Sequence, residues 1–229
     1  HCFMVGNDRD LVPAAHVTRA GQGLPQDALV YCNFANASRI TREVFTCWME
    51  ILRAVPSGVL WLKRQHGTTV DNLRRAAQQH GVDPARLIFA AHAADKREHL
   101  ARIGLADLAL DTIGWYNGHS STSDMLWAGM PVLTAEGDTF ASRVAASLVS
   151  AASLPELVAR DAHGYVRQAV QLGNDRAQCA ALKRKLAGGR LQASFFDEKG
   201  IVAALESLYL EMWRTFREGG VPRSIPVRA

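Results

Sequence analysis

The 229-residue sequence predicts an α/β fold, a Rossmann-like parallel sheet with helices on both faces. Three observations predict it. Apolar runs of strand length alternate with helical periodicity between Leu29 and Thr134, the pattern of consecutive βαβ units. The polar loops after the first, third and fourth strands converge on one edge, where sheets of this kind bind ligands. The densest of these loops, Asp111–Asp124 (D-T-I-G-W-Y-N-G-H-S-S-T-S-D), lies between a strand and a helix.

Residues 1–27 hold breakers (Gly6, Pro13, Gly21, Gly23, Pro25) and little periodicity, and are read as a connecting arm. Asp8-Arg9-Asp10 within it matches the D-x-D pattern of metal–diphosphate sites. No strand precedes it, and a solvated charge pair explains it. Leu29–Phe34 is the first strand, and Thr41 opens a helix to about Ala54 with Val44, Phe45, Trp48, Ile51 and Leu52 at helical spacing. Val59–Leu62 is the second strand, and the helix over about Val70–His80 ends at Gly81. Arg86–Ala90 is the third strand, Lys96–Ile103 a short helix, and Asp107–Leu110 the fourth strand. Met125, Leu126 and Ala128 suit a buried helix stopped by Gly129 and Pro131, and Pro131–Thr134 is the next strand. Past Thr134 the sheet is expected to give way to helices over Phe140–Leu148, Tyr165–Leu172, Arg176–Leu186 and Glu198–Arg217, with a tail after Gly219. The last helix is amphipathic, with Ile201, Leu205, Leu208, Met212 and Phe216 in one stripe.

The loop before the Met125 helix predicts a diphosphate cradle. Unpaired N–H groups and the partial positive charge of a helix N-terminus favour phosphate. Gly114 and Gly118 allow close backbone approach, and Ser120, Ser121 and Thr122 add hydroxyls. Asn36 and Arg39 follow the first strand, where an amide and a cation can hold a diphosphate or a leaving group. Lys96, His99 and Arg102 fall at i, i+3 spacings on one helix face, a ring and two cations suited to a base, ribose or phosphate. His92 and His99 lack the spacing of a helical zinc pair, so no metal site is read. Asp124 has two accounts. It is the partner of Ser121 in a capping box, or it accepts from sugar hydroxyls. The capping box leaves His119 and the glycines unexplained.

Bulk properties exclude other classes. With 48% apolar and 21% charged residues the composition is that of a globular chain. The net charge is +4, but only Lys183-Arg184-Lys185 forms a tight basic cluster, read as a solvated helix face rather than a nucleic-acid footprint. No apolar run reaches the roughly 20 residues of a membrane helix. Four scattered cysteines point to reduced thiols and a cytoplasmic setting. The chain opens with His1 rather than Met, as expected of a fragment or processed product.

N-G-H-S-S-T-S-D-M-L-W-A-G-M-P-V-L-T, with the later T-F-A-S-R-V-A-A-S, resembles the O-linked N-acetylglucosamine transferases and their SPINDLY-type bacterial relatives. V-Y-C-N-F, S-G-V-L-W-L, R-L-I-F, K-R-E-H, L-A-D-L-A-L-D-T and L-E-S-L-Y-L-E-M-W match the family in the same order, over about residues 28–217. The resemblance implies the C-terminal half of a glycosyltransferase-B fold: a nucleotide-sugar-binding domain over 28–217, with 218–229 as tail. It implies UDP-N-acetylglucosamine as donor and Ser/Thr of a protein as acceptor, with no metal or cofactor. It implies partners in an N-terminal catalytic half and in helical (TPR) repeats. Donors used elsewhere in the family, GDP-fucose or UDP-glucose, stay open, as does a non-catalytic nucleotide-binding module. Carried over by position, the family motif puts a diphosphate contact at Asn36, where Gln is usual, and the leaving-group cation at Arg39, where Lys is usual. Lys96 and His99 fall on base- and ribose-contacting positions, His119, Ser120 and Ser121 on a His-Thr-Thr phosphate motif, and Asp124 on the ribose-binding acid. The family's last helix runs towards the other half, which predicts Trp213 or Phe216 at an exposed apolar patch.

Overall fold

The computed structural model describes residues 11, 13, 14, 16–189 and 193–226. Asp8-Arg9-Asp10 lies outside them. Among the described residues six strands, β1 (Leu29–Asn33), β2 (Gly58–Lys63), β3 (Leu87–Ala90), β4 (Leu108–Leu110), β5 (Val132–Ala135) and β6 (Val158–Ala159), form one sheet in the order β3-β2-β1-β4-β5-β6. Every pairing is parallel, with Tyr31 against both Leu60 and Leu108. The strands are buried almost throughout, as a sheet covered on both faces requires. The chain winds outward from β1 to β3, then returns and winds the other way from β4 to β6. Right-handed crossovers therefore place α1 (Arg42–Ala54) and α2 (Gly67–Gln79) on one face, and α4 (Ser120–Trp127) and α5 (Val144–Ala151) on the other. α3 (Lys96–Ile103) packs against α4, and α6 (Ala162–Asn174) returns to α1. The reversal leaves a crevice between the carboxyl ends of β1 and β4, the topological switch point.

Local chemistry sets the element ends. Thr41 caps α1 by accepting from the Val44 N–H at 3.2 Å, and Asp95 caps α3 by accepting from Glu98 at 2.8 Å. Trp48 and Tyr165 lie between α1 and α6, with the indole N–H donating to the Tyr165 hydroxyl at 3.0 Å. The two-residue β6 is an addition to the expected strands, too short to leave a periodic signal. The helix expected over Phe140–Leu148 is divided. A 3-10 turn over Phe140–Ser142 is closed by a Thr139/Ser142 capping box, and α5 begins after Arg143.

The described part of the N-terminal arm is fastened to the domain. Arg19 forks onto Asp107 at 3.0 and 2.9 Å and donates to the Leu105 and Ala28 carbonyls, and Leu24 is buried. At the other end, α7 (Arg176–Gly189) leads through a 3-10 turn over Ser194–Phe196 to α8 (Glu198–Arg217). No residue of α8 is buried. Trp213 and Phe216 are 58% and 71% exposed and stack at 5.7 Å, the apolar patch the sequence predicts. No helix among the described residues is long and apolar enough to cross a membrane.

Candidate nucleotide site at the sheet switch point

The β4–α4 loop is shaped from beneath. Asp111, at the end of β4, is buried and accepts from the N–H of Thr112 and Gly118, both at 2.8 Å, and from the Thr134 hydroxyl at 2.7 Å. Burial pushes its carboxyl up to about 7, although these three hydrogen bonds and the charge of Arg39 pull the other way. Asn117, also buried, donates to the Ala135 and Ser142 carbonyls at 3.2 and 2.7 Å. The loop is thus stapled to β5 and to the break before α5. The two glycines act differently. Gly114 holds a left-handed φ of 97°, which an L side chain rarely adopts. At Gly118 the limit is space, since a Cβ there would press on Thr122 and lie 2.8 Å from the Asp111 carboxylate.

His119 is the N-cap of α4 and makes no side-chain cap, and the first N–H bonded back into the helix is that of Ser123, to the His119 carbonyl at 3.0 Å. The N–H groups of Ser120, Ser121 and Thr122 precede it, in the turn that helix geometry leaves without internal partners. Ser121 lies inside the helix, so the capping-box account with Ser121 as N-cap does not hold. Asp124 turns instead to α3, where it pairs with Lys96 and lies 4.0 Å from His99 Nε2.

Across the crevice, Asn36 opens a 3-10 turn over Ala37–Arg39 at the end of β1. Its Oδ1 accepts from Lys63 at 3.0 Å. A lysine only donates, so this bond leaves the Asn36 amide N–H groups for an acceptor. Arg39 reaches over to the β4–α4 loop. Its partners there are neutral: the Asn117 carbonyl and the Tyr116 hydroxyl at 3.4 Å each, and the Tyr116 ring at 4.3 Å. Its charge therefore remains available to an anion at the mouth of α4.

On the α3 flank, Arg102 is buried. It donates to His99 Nδ1 at 3.1 Å and to the Ala91 carbonyl, and lies 4.9 Å over the Phe34 ring. His99 packs edge-on against Phe34 at 5.6 Å. Burial first, then the charges of Arg102, Lys96 and Lys63, push His99 down to about 4. The ring is neutral at pH 7, and because Nδ1 accepts, Nε2 carries the proton towards Asp124. Arg102 thus acts behind His99, orienting it, while Lys96 and His99 face the crevice edge with Asp124.

The structure brings the sequence-predicted residues into two groups around one crevice: Asn36, Arg39, His119, Ser120 and Ser121 at the β1/β4 ends, and Lys96, His99, Arg102 and Asp124 between α3 and α4. Sequence reasoning missed Lys63, Asp111, Tyr116 and Asn117. Lys63 and Asp111 carried a usable signal, a charged residue at the carboxyl end of a buried strand. Tyr116 and Asn117 carried none beyond lying in the loop.

The profile of glycosyl transferase family 41 matches residues 8–205. The chain belongs to this family. It is 38% identical over 90% of its length to a UDP-N-acetylglucosamine–peptide N-acetylglucosaminyltransferase of Caenorhabditis elegans, and 34% identical over 99% to the probable enzyme of that name, SEC, of Arabidopsis thaliana. It spans 18% and 24% of the lengths of those two proteins. Among solved structures, a point mutant of the O-GlcNAc transferase of Thermobaculum terrenum superposes with a TM-score of 0.77 at 33% identity, over 89% of this chain and 39% of that one. The family 41 chain has the fold of the C-terminal half of a glycosyltransferase-B enzyme, as expected.

Proposed function

We propose that this chain is the donor-nucleotide-binding half of a metal-independent protein O-glycosyltransferase, which transfers N-acetylglucosamine from UDP-N-acetylglucosamine to Ser/Thr of proteins. The observation that carries the reading is the meeting of Arg39, across the switch point, with the loop that leads into the α4 N-terminus. Glycosyl transfer builds negative charge on the departing diphosphate. Arg39, the N–H groups of Ser120 and Ser121 and their hydroxyls supply preorganised positive potential where that charge grows. The Asn36 amide adds a donor on the same side. On the α3 flank, neutral His99 offers a ring face to the base, and Asp124 is an acceptor for ribose hydroxyls, its charge balanced by Lys96.

The test is turnover by the full-length protein with UDP-N-acetylglucosamine, GDP-fucose and UDP-glucose in the presence of a chelator. Transfer from UDP-N-acetylglucosamine is expected. Transfer from another donor alone would replace the donor assignment, and nucleotide binding without transfer would leave a binding module. Asp124→Asn sharpens the site assignment. Loss of a charge-assisted ribose contact is expected to weaken UDP binding about ten- to hundredfold, with a smaller change in melting temperature. A destabilised protein of unchanged affinity would remove Asp124 from the site.

A further inference from the structure

Tyr116 lies in the β4–α4 loop between Gly114 and Gly118, half-buried, against Arg39. Its ring meets two neighbours. The Arg39 guanidinium lies over it, 4.3 Å from the ring centroid. The His119 ring stacks on it, 4.6 Å away and nearly parallel, at 20°. The hydroxyl joins the same two neighbours, 3.4 Å from Arg39 Nη2 and 3.3 Å from His119 Nδ1. His119 Nε2 lies 3.1 Å from the Ala141 carbonyl, which can only accept. In the neutral ring Nε2 therefore carries the proton and Nδ1 accepts from the tyrosine, whose oxygen in turn accepts from Arg39. The donors run in one direction, from Arg39 through Tyr116 and His119 to the backbone of the Phe140–Ser142 turn.

We propose that Tyr116 is a positioning residue: it holds the Arg39 cation over the mouth of α4 and fixes the ring plane of the His119 N-cap. The proposal rests on the donor-nucleotide reading of this site. An arginine on a surface 3-10 turn has several rotatable bonds, and without Tyr116 its remaining side-chain partner among the described residues is one carbonyl at 3.4 Å. A guanidinium stacked on an aromatic face is held in place while its N–H edge stays free to donate. Preorganising that cation before the donor binds lowers the cost of stabilising charge on the leaving diphosphate. Tyr116 also links the two sides of the crevice, β1 and β4, through side chains alone.

The experiment compares Tyr116→Phe, Tyr116→Leu and Tyr116→Ala in the full-length protein, each alone and with Arg39→Met. Affinity for UDP and turnover are measured, together with the ring 15N shifts of His119. Tyr116→Ala and Tyr116→Leu are expected to lower affinity or turnover about tenfold, the scale of one lost cation–π contact. Tyr116→Phe, which keeps the stack, is expected to stay within about threefold of wild type. In the Arg39→Met background, removing Tyr116 is expected to add little, because its partner is already gone. Additive losses, or a Phe variant as impaired as Ala, overturn the proposal. Tyr116→Leu keeps the comparison open should the alanine variant not fold. If wild type binds no nucleoside diphosphate, the donor reading fails and the His119 spectrum decides alone. An Nδ1 shift that moves in the leucine variant, as the tyrosine hydrogen bond and the stack are lost while the Ala141 carbonyl keeps the Nε2 proton, then upholds the positioning role, and an unchanged spectrum overturns it.

Discussion

On the β4 side of the crevice the backbone from 111 to 119 is held by buried groups: the Asp111 carboxylate takes two loop N–H groups and the Thr134 hydroxyl, and Asn117 ties the loop to β5 and to Ser142. On the α3 side the same crevice is bounded by charges near the surface. Lys96 is 39% exposed at its side chain and pairs with Asp124, and His99 and Arg102 lean on Phe34 behind them. Under the proposed donor-binding reading, the difference follows what each flank would recognise. A diphosphate is met by backbone N–H groups, which have to be fixed in advance, and a buried acceptor network fixes backbone well. A base and a ribose are met by side chains, whose charges can be traded for those of a ligand only where water reaches them. The β4 flank should therefore fail by unfolding and the α3 flank by losing affinity.

The largest expected effect breaks the β4 flank. Asp111→Ala removes the acceptor of three buried donors at once. At about 1–3 kcal/mol for each donor left unpaired, and with some relaxation, the loss is expected to reach about 3–5 kcal/mol. Lys96→Met, which breaks a partly exposed pair on the other flank, is expected to cost less than about 1 kcal/mol. Denaturant midpoints of the two variants decide the matter. Equal shifts would show that the flanks do not differ in the way their burial implies.

A second expectation sets the flanks against each other in pH. Asp111 is raised from its ordinary 3.8 to about 7, so the stability it supplies is complete below about pH 4 and is lost as pH rises towards 7. His99 is lowered from 6.5 to about 4, so its contribution is complete above about pH 6.5 and is lost as pH falls towards 4. Between those limits the two oppose each other. His99→Gln leaves Asp111 unopposed and is expected to make stability fall with rising pH, relative to wild type, by up to about 1.4 kcal/mol per pH unit. Asp111→Asn is expected to tilt the difference the other way. Urea unfolding across this window reads both slopes, and two variants parallel to wild type would refute the opposition.

How much of this was legible beforehand follows from the same contrast. The sheet could be read because buried strands leave runs such as V-L-W-L, α3 because Gly104 stops it, and α8 because its apolar stripe recurs over the whole of Glu198–Arg217. The charged flank could be read because Lys96, His99 and Arg102 recur at helical spacing, which survives in one dimension. What escaped depends on approach in three dimensions. Nothing local says that Asn117 reaches Ser142, that this contact sits at the break between the Phe140 turn and α5, or that Tyr116 meets both Arg39 and His119. Asp124 shows the limit most clearly. Its spacing from Ser121 suggested a capping box, but the N-cap of α4 is His119, two residues before Ser121, and a lysine on α3 takes the carboxylate.

The smallest expected effect concerns Thr112, which follows Asp111 into the loop. Its N–H donates to Asp111, but its Oγ1, fully buried, has no hydrogen-bond partner among the described residues. A buried hydroxyl without a partner carries its desolvation cost and returns nothing, whereas a methyl of the same shape carries none. Thr112→Val keeps the β-branched outline that the end of a strand favours. It is expected to raise stability by about 0.5–1 kcal/mol, measured as a higher denaturant midpoint at unchanged slope. UDP affinity is expected to stay as in wild type, because a residue sealed under the loop has no path to the ligand. A gain in stability bought with a loss of affinity would mean that the loop opens on binding and hands the Thr112 hydroxyl to the diphosphate. The β4 flank would then be the adaptable one, and the contrast between the two flanks would have to be reversed.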